Sequence, residues 1–295
     1  MGGFCFMRLH PSPFGSQLPA EHRPISNAVQ PDSAYRAHFK DIVRADLGRA
    51  GYLSTDTFGL RNLMGDPRLA RDIVRWQLQT LCGVLTDHGM TLPIVASLNA
   101  NPGDCYVPDP SISVDVFSDL AAQQAELFQG HPLIFETICQ VHEAVGIAQG
   151  LQPNQRRSAT MAFTLKQDEH GRFVLPSGED PLEAVRAIRE LNPAQRFGFN
   201  CFAPDMKALE DLLRRGAQQG LIPHLIYPNS AGFGGDIEKD GANGDFRLNP
   251  AELVRVCRPF NVQTVGGCCG CSADDLDCMH HAHHGQTDSP LAWAA

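Results

Sequence analysis

Val262-Gln263-Thr264-Val265-Gly266-Gly267-Cys268-Cys269-Gly270 is a short apolar run that hands two adjacent thiols to a glycine-rich turn. The run from Val262 to Gly267 reads as a buried strand. Neighbouring cysteines rarely reach disulfide geometry, whereas two thiolates suit a soft or borderline metal such as zinc. Glycines on either side free the backbone to turn both sulfurs toward one point. A third cysteine, in Phe199-Asn200-Cys201, ends another apolar run. Three thiolates leave one place of a tetrahedral zinc shell for an incoming ligand, which is the arrangement of a catalytic metal site.

Outward from that strand the same rhythm repeats: a short apolar or β-branched run, a polar loop, then a helix-period segment. The expected strands are 52–57, 93–98, 132–137, 158–164, 195–201, 222–228 and 262–267, with 2–8 as a first strand, eight in all. Helical stripes are expected between them. In 33–49 Tyr35, Phe39, Ile42 and Leu47 share a face, and in 205–219 Met206, Leu209, Leu212 and Leu213 do. Pro204 and Asp205 open the second helix and Gly220 closes it. Alternating strands and helices imply parallel strands with crossovers. The fold class is therefore α/β, a single (β/α)8 barrel of the TIM type over 1–285, followed by a C-terminal tail, 286–295. A doubly wound open sheet is the alternative. No phosphate-binding glycine fingerprint follows a strand, and Gly232-Phe233-Gly234-Gly235 opens no helix.

Active sites of such barrels lie at the C-terminal ends of the strands. Cys201 ends the sixth strand, Cys268 and Cys269 follow the eighth, Glu136 ends the fourth and Asn229 ends the seventh. All of these chemical groups fall on one rim.

Composition narrows the function classes. Charged residues are 19% and hydrophobic residues 43% of the chain, as in ordinary globular proteins. A net charge of −9 argues against a nucleic-acid partner. No apolar run approaches the ~18–20 residues needed to span a membrane, and no leader pattern opens the chain. Ten cysteines without a leader read as reduced thiols and metal ligands, with the cytoplasm as the expected compartment. A homo-oligomer stays open.

Phe199-Asn200-Cys201, Tyr227-Pro228-Asn229-Ser230 and Gly266-Gly267-Cys268-Cys269-Gly270 resemble, in that order, the motifs of the homocysteine S-methyltransferase family. Ser54-Thr55-Asp56-Thr57-Phe58, Phe135-Glu136-Thr137 and Phe163-Thr164 also fall in the family's order, so the likeness runs to about Ala282. The resemblance implies a barrel that holds Zn2+ on Cys201, Cys268 and Cys269 and methylates homocysteine to methionine. Glu136 would meet the homocysteine ammonium as a charge-assisted hydrogen bond, and Thr137 and Asn229 would belong to the substrate pocket. The partners the resemblance implies are homocysteine, or a seleno-analogue, and a small methyl donor: betaine, a sulfonium or a methylated folate.

The family opens on an aspartate before a glycine pair. Here Gly2-Gly3-Phe4 takes that place with Met1 at the aspartate position, which leaves the first strand cut short. Either the true start lies upstream, or a second reading follows, of a catalytically impaired zinc-binding barrel that lacks this carboxylate. Bland roles stand beside the sharp ones. Glu136 at a helix N-terminus would only favour the dipole, Asn229 would cap a turn, and Asp56 would make a loop hydrogen bond. Cys271 reads as a bystander. Cys278, His280, His281, His283 and His284 read as a solvated final helix, and Asp104 and Tyr106 as a loop bordering the donor site.

Overall fold

A computed structural model describes residues 5–8, 33–47, 50–55, 57–103, 106–230 and 247–284. Eight strands join in one sheet: β1 (Cys5–Arg8), β2 (Leu53–Ser54), β3 (Ile94–Leu98), β4 (Leu133–Ile138), β5 (Ala159–Phe163), β6 (Arg196–Asn200), β7 (Leu225–Tyr227) and β8 (Thr264–Gly267). Their order is β1-β8-β7-β6-β5-β4-β3-β2, and every pairing is parallel. The sheet curls until its two edge strands, β1 and β2, come within a Cα–Cα distance of 8 Å, although no ladder joins them among the described residues.

The strands sit where the apolar runs put them, most of them trimmed at one or both ends, while β4 starts one residue later than expected and runs one residue further, to Ile138. The expected first strand is described only as Cys5–Arg8; Met1 to Phe4 lie outside the described residues, as do Asp56, Asp104, Gly232 to Gly235 and the tail 286–295. A two-stranded antiparallel hairpin, Lys166–Gln167 with Phe173–Val174, interrupts the expected rhythm after β5.

Nine α-helices are described: α1 (Ser33–Asp46), α2 (Pro67–Asp87), α3 (Val114–Glu126), α4 (Val141–Gly150), α5 (Pro153–Ser158), α6 (Pro181–Leu191), α7 (Met206–Gln218), α8 (Pro250–Cys257) and α9 (Ala273–His284). One device starts several of them. Asp66, Asp180 and Asn249 each accept a backbone N–H of the first turn, and a proline follows at the first helical position. The side chain satisfies an orphan donor and the proline gives up an N–H that would have had no partner. Asp205 caps α7 through the Ala208 amide at 2.9 Å. Gly220 ends that segment with φ +69, the left-handed turn that glycine adopts without penalty.

The two-residue period of the strands sorts the core. Ala96, Leu98, Leu133, Phe135, Met161, Phe163, Phe197, Phe199, Ile226 and Val265 join the helices in one large cluster. Their alternates Val95, Ile134, Ala162, Leu225 and Tyr227 form a second cluster on the concave face together with Cys201 and Cys268. Strands buried on both faces read as continuous apolar runs, and polar residues within them are exceptions that need a reason. Leu276 and Met279 of α9 are buried, so the final helix packs against the body by one face, where the sequence suggested a solvated helix.

Candidate active site

Three thiols converge at the C-terminal rim of the sheet. The sulfurs of Cys201, Cys268 and Cys269 lie within 4.8 Å of one another, and Cys201 Sγ is 3.6 Å from Cys269 Sγ. Cys201 and Cys268 are buried and Cys269 is half-buried. Among the described residues no other three His, Cys, Asp or Glu side chains meet in this way.

Backbone hydrogen bonds align the two arms that carry them, with Tyr227-Pro228-Asn229-Ser230 between. On one side the Cys201 amide donates to the Tyr227 carbonyl at 3.1 Å and the Asn229 amide to the Phe202 carbonyl at 2.9 Å. On the other, the Cys268 amide donates to the Pro228 carbonyl at 2.7 Å, and the Ser230 amide to the Cys269 carbonyl at 2.8 Å. The Asn229 side chain adds a contact, its Oδ1 accepting the Cys269 amide at 3.3 Å. The segment acts as a spacer that sets the distance between Cys201 and the cysteine pair.

The glycine frame has separate causes at its two ends. Gly270 takes φ +73, a left-handed conformation. Gly267 is held in tight quarters: a Cβ there would collide with Cys271 Sγ and lie 2.8 Å from Ser230 Oγ. Cys271 is buried in the outer core and lies apart from the thiol trio, which agrees with its reading as a bystander.

Electrostatics disfavours ionising the thiols by themselves. For Cys268 the hydrogen bonds with the Cys201 and Cys269 thiols, then burial, then the repulsion of neighbouring thiolates hold the thiol well above its ordinary value. For Cys201 the Cys268 hydrogen bond pulls downward, but Cys269 and burial outweigh it and the net shift is upward. A cluster of this kind needs a cation before it can carry three negative charges. The Tyr106 hydroxyl lies 2.7 Å from Cys201 Sγ.

Glu136 is fully buried within β4. It is not at a helix N-terminus, since α4 begins at Val141; the carboxylate in that first turn is Glu143. Tyr227, on the concave face, is pushed well above its ordinary value by burial, then by the charges of Glu136, Cys268 and Cys201. Glu136 therefore shares its neighbourhood with the thiols, as the rim argument anticipates. Thr137 has φ +60, and its amide donates to Asn200 Oδ1 at 2.9 Å. The sequence reading named Asn200 only within Phe199-Asn200-Cys201 and gave it no role of its own. A polar side chain immediately before a thiol at a buried strand end was the available signal.

The model of the family described as homocysteine S-methyltransferase matches residues 50–283. The chain belongs to the homocysteine S-methyltransferase family. It is accordingly a methyltransferase. Solved structures of the homocysteine methyltransferase MmuM from Escherichia coli share the fold. The metallated form has a TM-score of 0.69 at 18% identity, covering 94% of this chain and 95% of that one. The apo form has a TM-score of 0.67 at 17% identity, covering 96% of each. No curated protein matches the chain.

His281 Nδ1 is 2.6 Å from the Asp277 carbonyl of its own helix, and no metal-type cluster forms among the described residues of α9. No described helix is long and apolar enough to cross a membrane.

Proposed function

We propose that the chain is a zinc-dependent S-methyltransferase that moves a methyl group from a small donor, a sulfonium, betaine or similar, to the sulfur of homocysteine, giving methionine. The observation that carries this reading is the convergence of Cys201, Cys268 and Cys269. Tetrahedral zinc about 2.3 Å from each sulfur holds sulfurs roughly 3.8 Å apart, and the Cys201–Cys269 separation is 3.6 Å. The donor set fits the ion in number, softness and spacing.

Zinc held by these three residues would supply thiol activation, favouring the thiolate of a substrate whose free pKa lies near ~8.5. The rest is the work of the chain. Glu136 accepts the substrate ammonium, with Thr137 and Asn229 at the margins of the same pocket. The rigid strand ends hold the nucleophile where a methyl group can approach in line. The sulfur–methyl bond forms as the donor's bond to that methyl breaks, and the donor leaves with the electron pair.

The reading includes closure of the curled sheet into a (β/α)8 barrel over 1–285, which the approach of β1 to β2 supports. A site of three free thiols also suits a reducing compartment such as the cytoplasm. No observation favours the impaired barrel.

The test is the zinc content of the purified, reduced protein beside Cys268→Ser, followed by a donor screen with homocysteine. One zinc per chain, lost in the variant, with methionine formed from one donor class, is the expected result. A reduced chain that holds no zinc overturns the reading.

A further inference from the structure

Two residues of this rim stand in a backbone conformation that side chains normally avoid: Thr137 at φ +60 and Cys201 at φ +55. Thr137 is β-branched, for which this region is especially unfavourable. Such strain persists only where surrounding contacts over-determine it. The contacts here are specific. Asn200 Oδ1 accepts the Thr137 amide at 2.9 Å, and Asn200 Nδ2 donates to Thr137 Oγ1 at 3.1 Å. Asn200 and Thr137 are 0% and 1% exposed, so both bonds are shielded from water. Thr164 Oγ1 donates to the Cys201 carbonyl at 3.0 Å and pins the next residue along.

The pair spans a gap. β4 and β6 are not neighbours, because β5 lies between them. The β4–β5 register slips between Phe135 and Ile138, where Glu136 and Thr137 sit. The slip frees the Thr137 amide from the ladder and turns it toward Asn200. One amide side chain therefore ties the residue after Glu136 to the residue before Cys201.

Resting on the function proposed above, we infer that Asn200 is a positioning residue that sets the amino-acid half of the site and the metal half in register through its two-bonded clasp with Thr137. Asn200 touches neither ion nor substrate. It fixes the turn from which Glu136 meets the ammonium and the turn from which Cys201 presents its sulfur. Loosening the clasp disturbs both at once, although the two lie on different strands.

An isosteric pair of substitutions tests this. Thr137→Val keeps the shape and loses the acceptor; Thr137→Ser loses the methyl group and keeps the acceptor. Zinc affinity is read by chelator competition and homocysteine affinity by calorimetry on the zinc-loaded chain, with Asn200→Ala alongside. Thr137→Val is expected to weaken both affinities about fivefold or more, and Thr137→Ser to weaken both clearly less than Val does. KM for homocysteine should rise more than kcat falls. A merely steric role predicts the reverse order, with Val tolerated and Ser impaired, and that order overturns the inference. So does parental affinity in Thr137→Val. If Asn200→Ala does not fold, the Thr137 pair decides alone. A parent chain that binds no zinc overturns the functional reading and this inference with it; a parent that binds both ligands beside an unaffected Thr137→Val overturns the inference only.

Discussion

The Tyr106 hydroxyl and the Cys201 sulfur lie 2.7 Å apart, although they come from the loop after β3 and the end of β6. A phenol donating to a thiolate stabilises the charged form. Tyr106→Phe should weaken zinc binding about tenfold, in the range of a lost hydrogen bond to a charged group. Competition with a chromophoric chelator measures it, and an unchanged affinity would show that the hydroxyl leaves Cys201 when metal enters.

Cysteines two positions apart should behave oppositely. Cys269→Ser removes a sulfur of the convergent trio and should abolish stoichiometric zinc and methyl transfer, whereas Cys271→Ser should keep one zinc per chain. Elemental analysis of the two variants distinguishes them, and zinc loss from Cys271→Ser would move that residue into the site.

Gly267→Ala places a Cβ against Cys271 Sγ and Ser230 Oγ. Overpacking of this kind costs about 1–3 kcal/mol, so thermal unfolding should shift down by several degrees. Zinc affinity should fall with it, because Cys268 follows directly.

Glu143 gives a pH signature. Burial pushes its carboxyl up to about 7 against hydrogen bonds from the Cys139 amide and thiol and the charge of Arg61, which pull it down. The folded state thus holds a proton that the unfolded state releases near 4.5. The stability this group contributes is complete below the unfolded value and is lost as pH rises through about 7. Glu143→Gln should therefore gain on the parent by up to about 3 kcal/mol at pH 8 and by little at pH 4. Urea unfolding at the two pH values checks it, and an equal difference at both would remove Glu143 as the source.

Much of this was legible in the chain. Runs buried on both faces, such as Ile94–Leu98 and Leu133–Ile138, announce parallel strands because no polar residue could be tolerated there without a task. The same logic put Glu136, Cys201 and the cysteine pair on one rim. The clasp was not legible, since the left-handed turns at Thr137 and Cys201 are held by a contact between non-adjacent strands. Glu143 reads as an ordinary polar residue opening a helix until tertiary packing buries it. The hairpin at Lys166–Gln167 escapes because that short strand is exposed and carries no apolar run. The final helix was misjudged for the opposite reason: two apolar residues, Leu276 and Met279, suffice to dock a helix full of histidine.

The ladder that pairs Cys5 with Thr264 and Arg8 with Gly267 joins strands from opposite ends of the described chain. In chain order nearly every other described element lies between β1 and β8. Until β8 joins, the edge of β1 has no neighbour on that side, and closing so long a loop is among the slow events of folding. Cys201 meanwhile waits as a solitary thiol, a poor trap for a metal ion. The last strand brings both remaining sulfurs in one movement, so under the function proposed above metal capture would come at the end of assembly and would report on a completed scaffold.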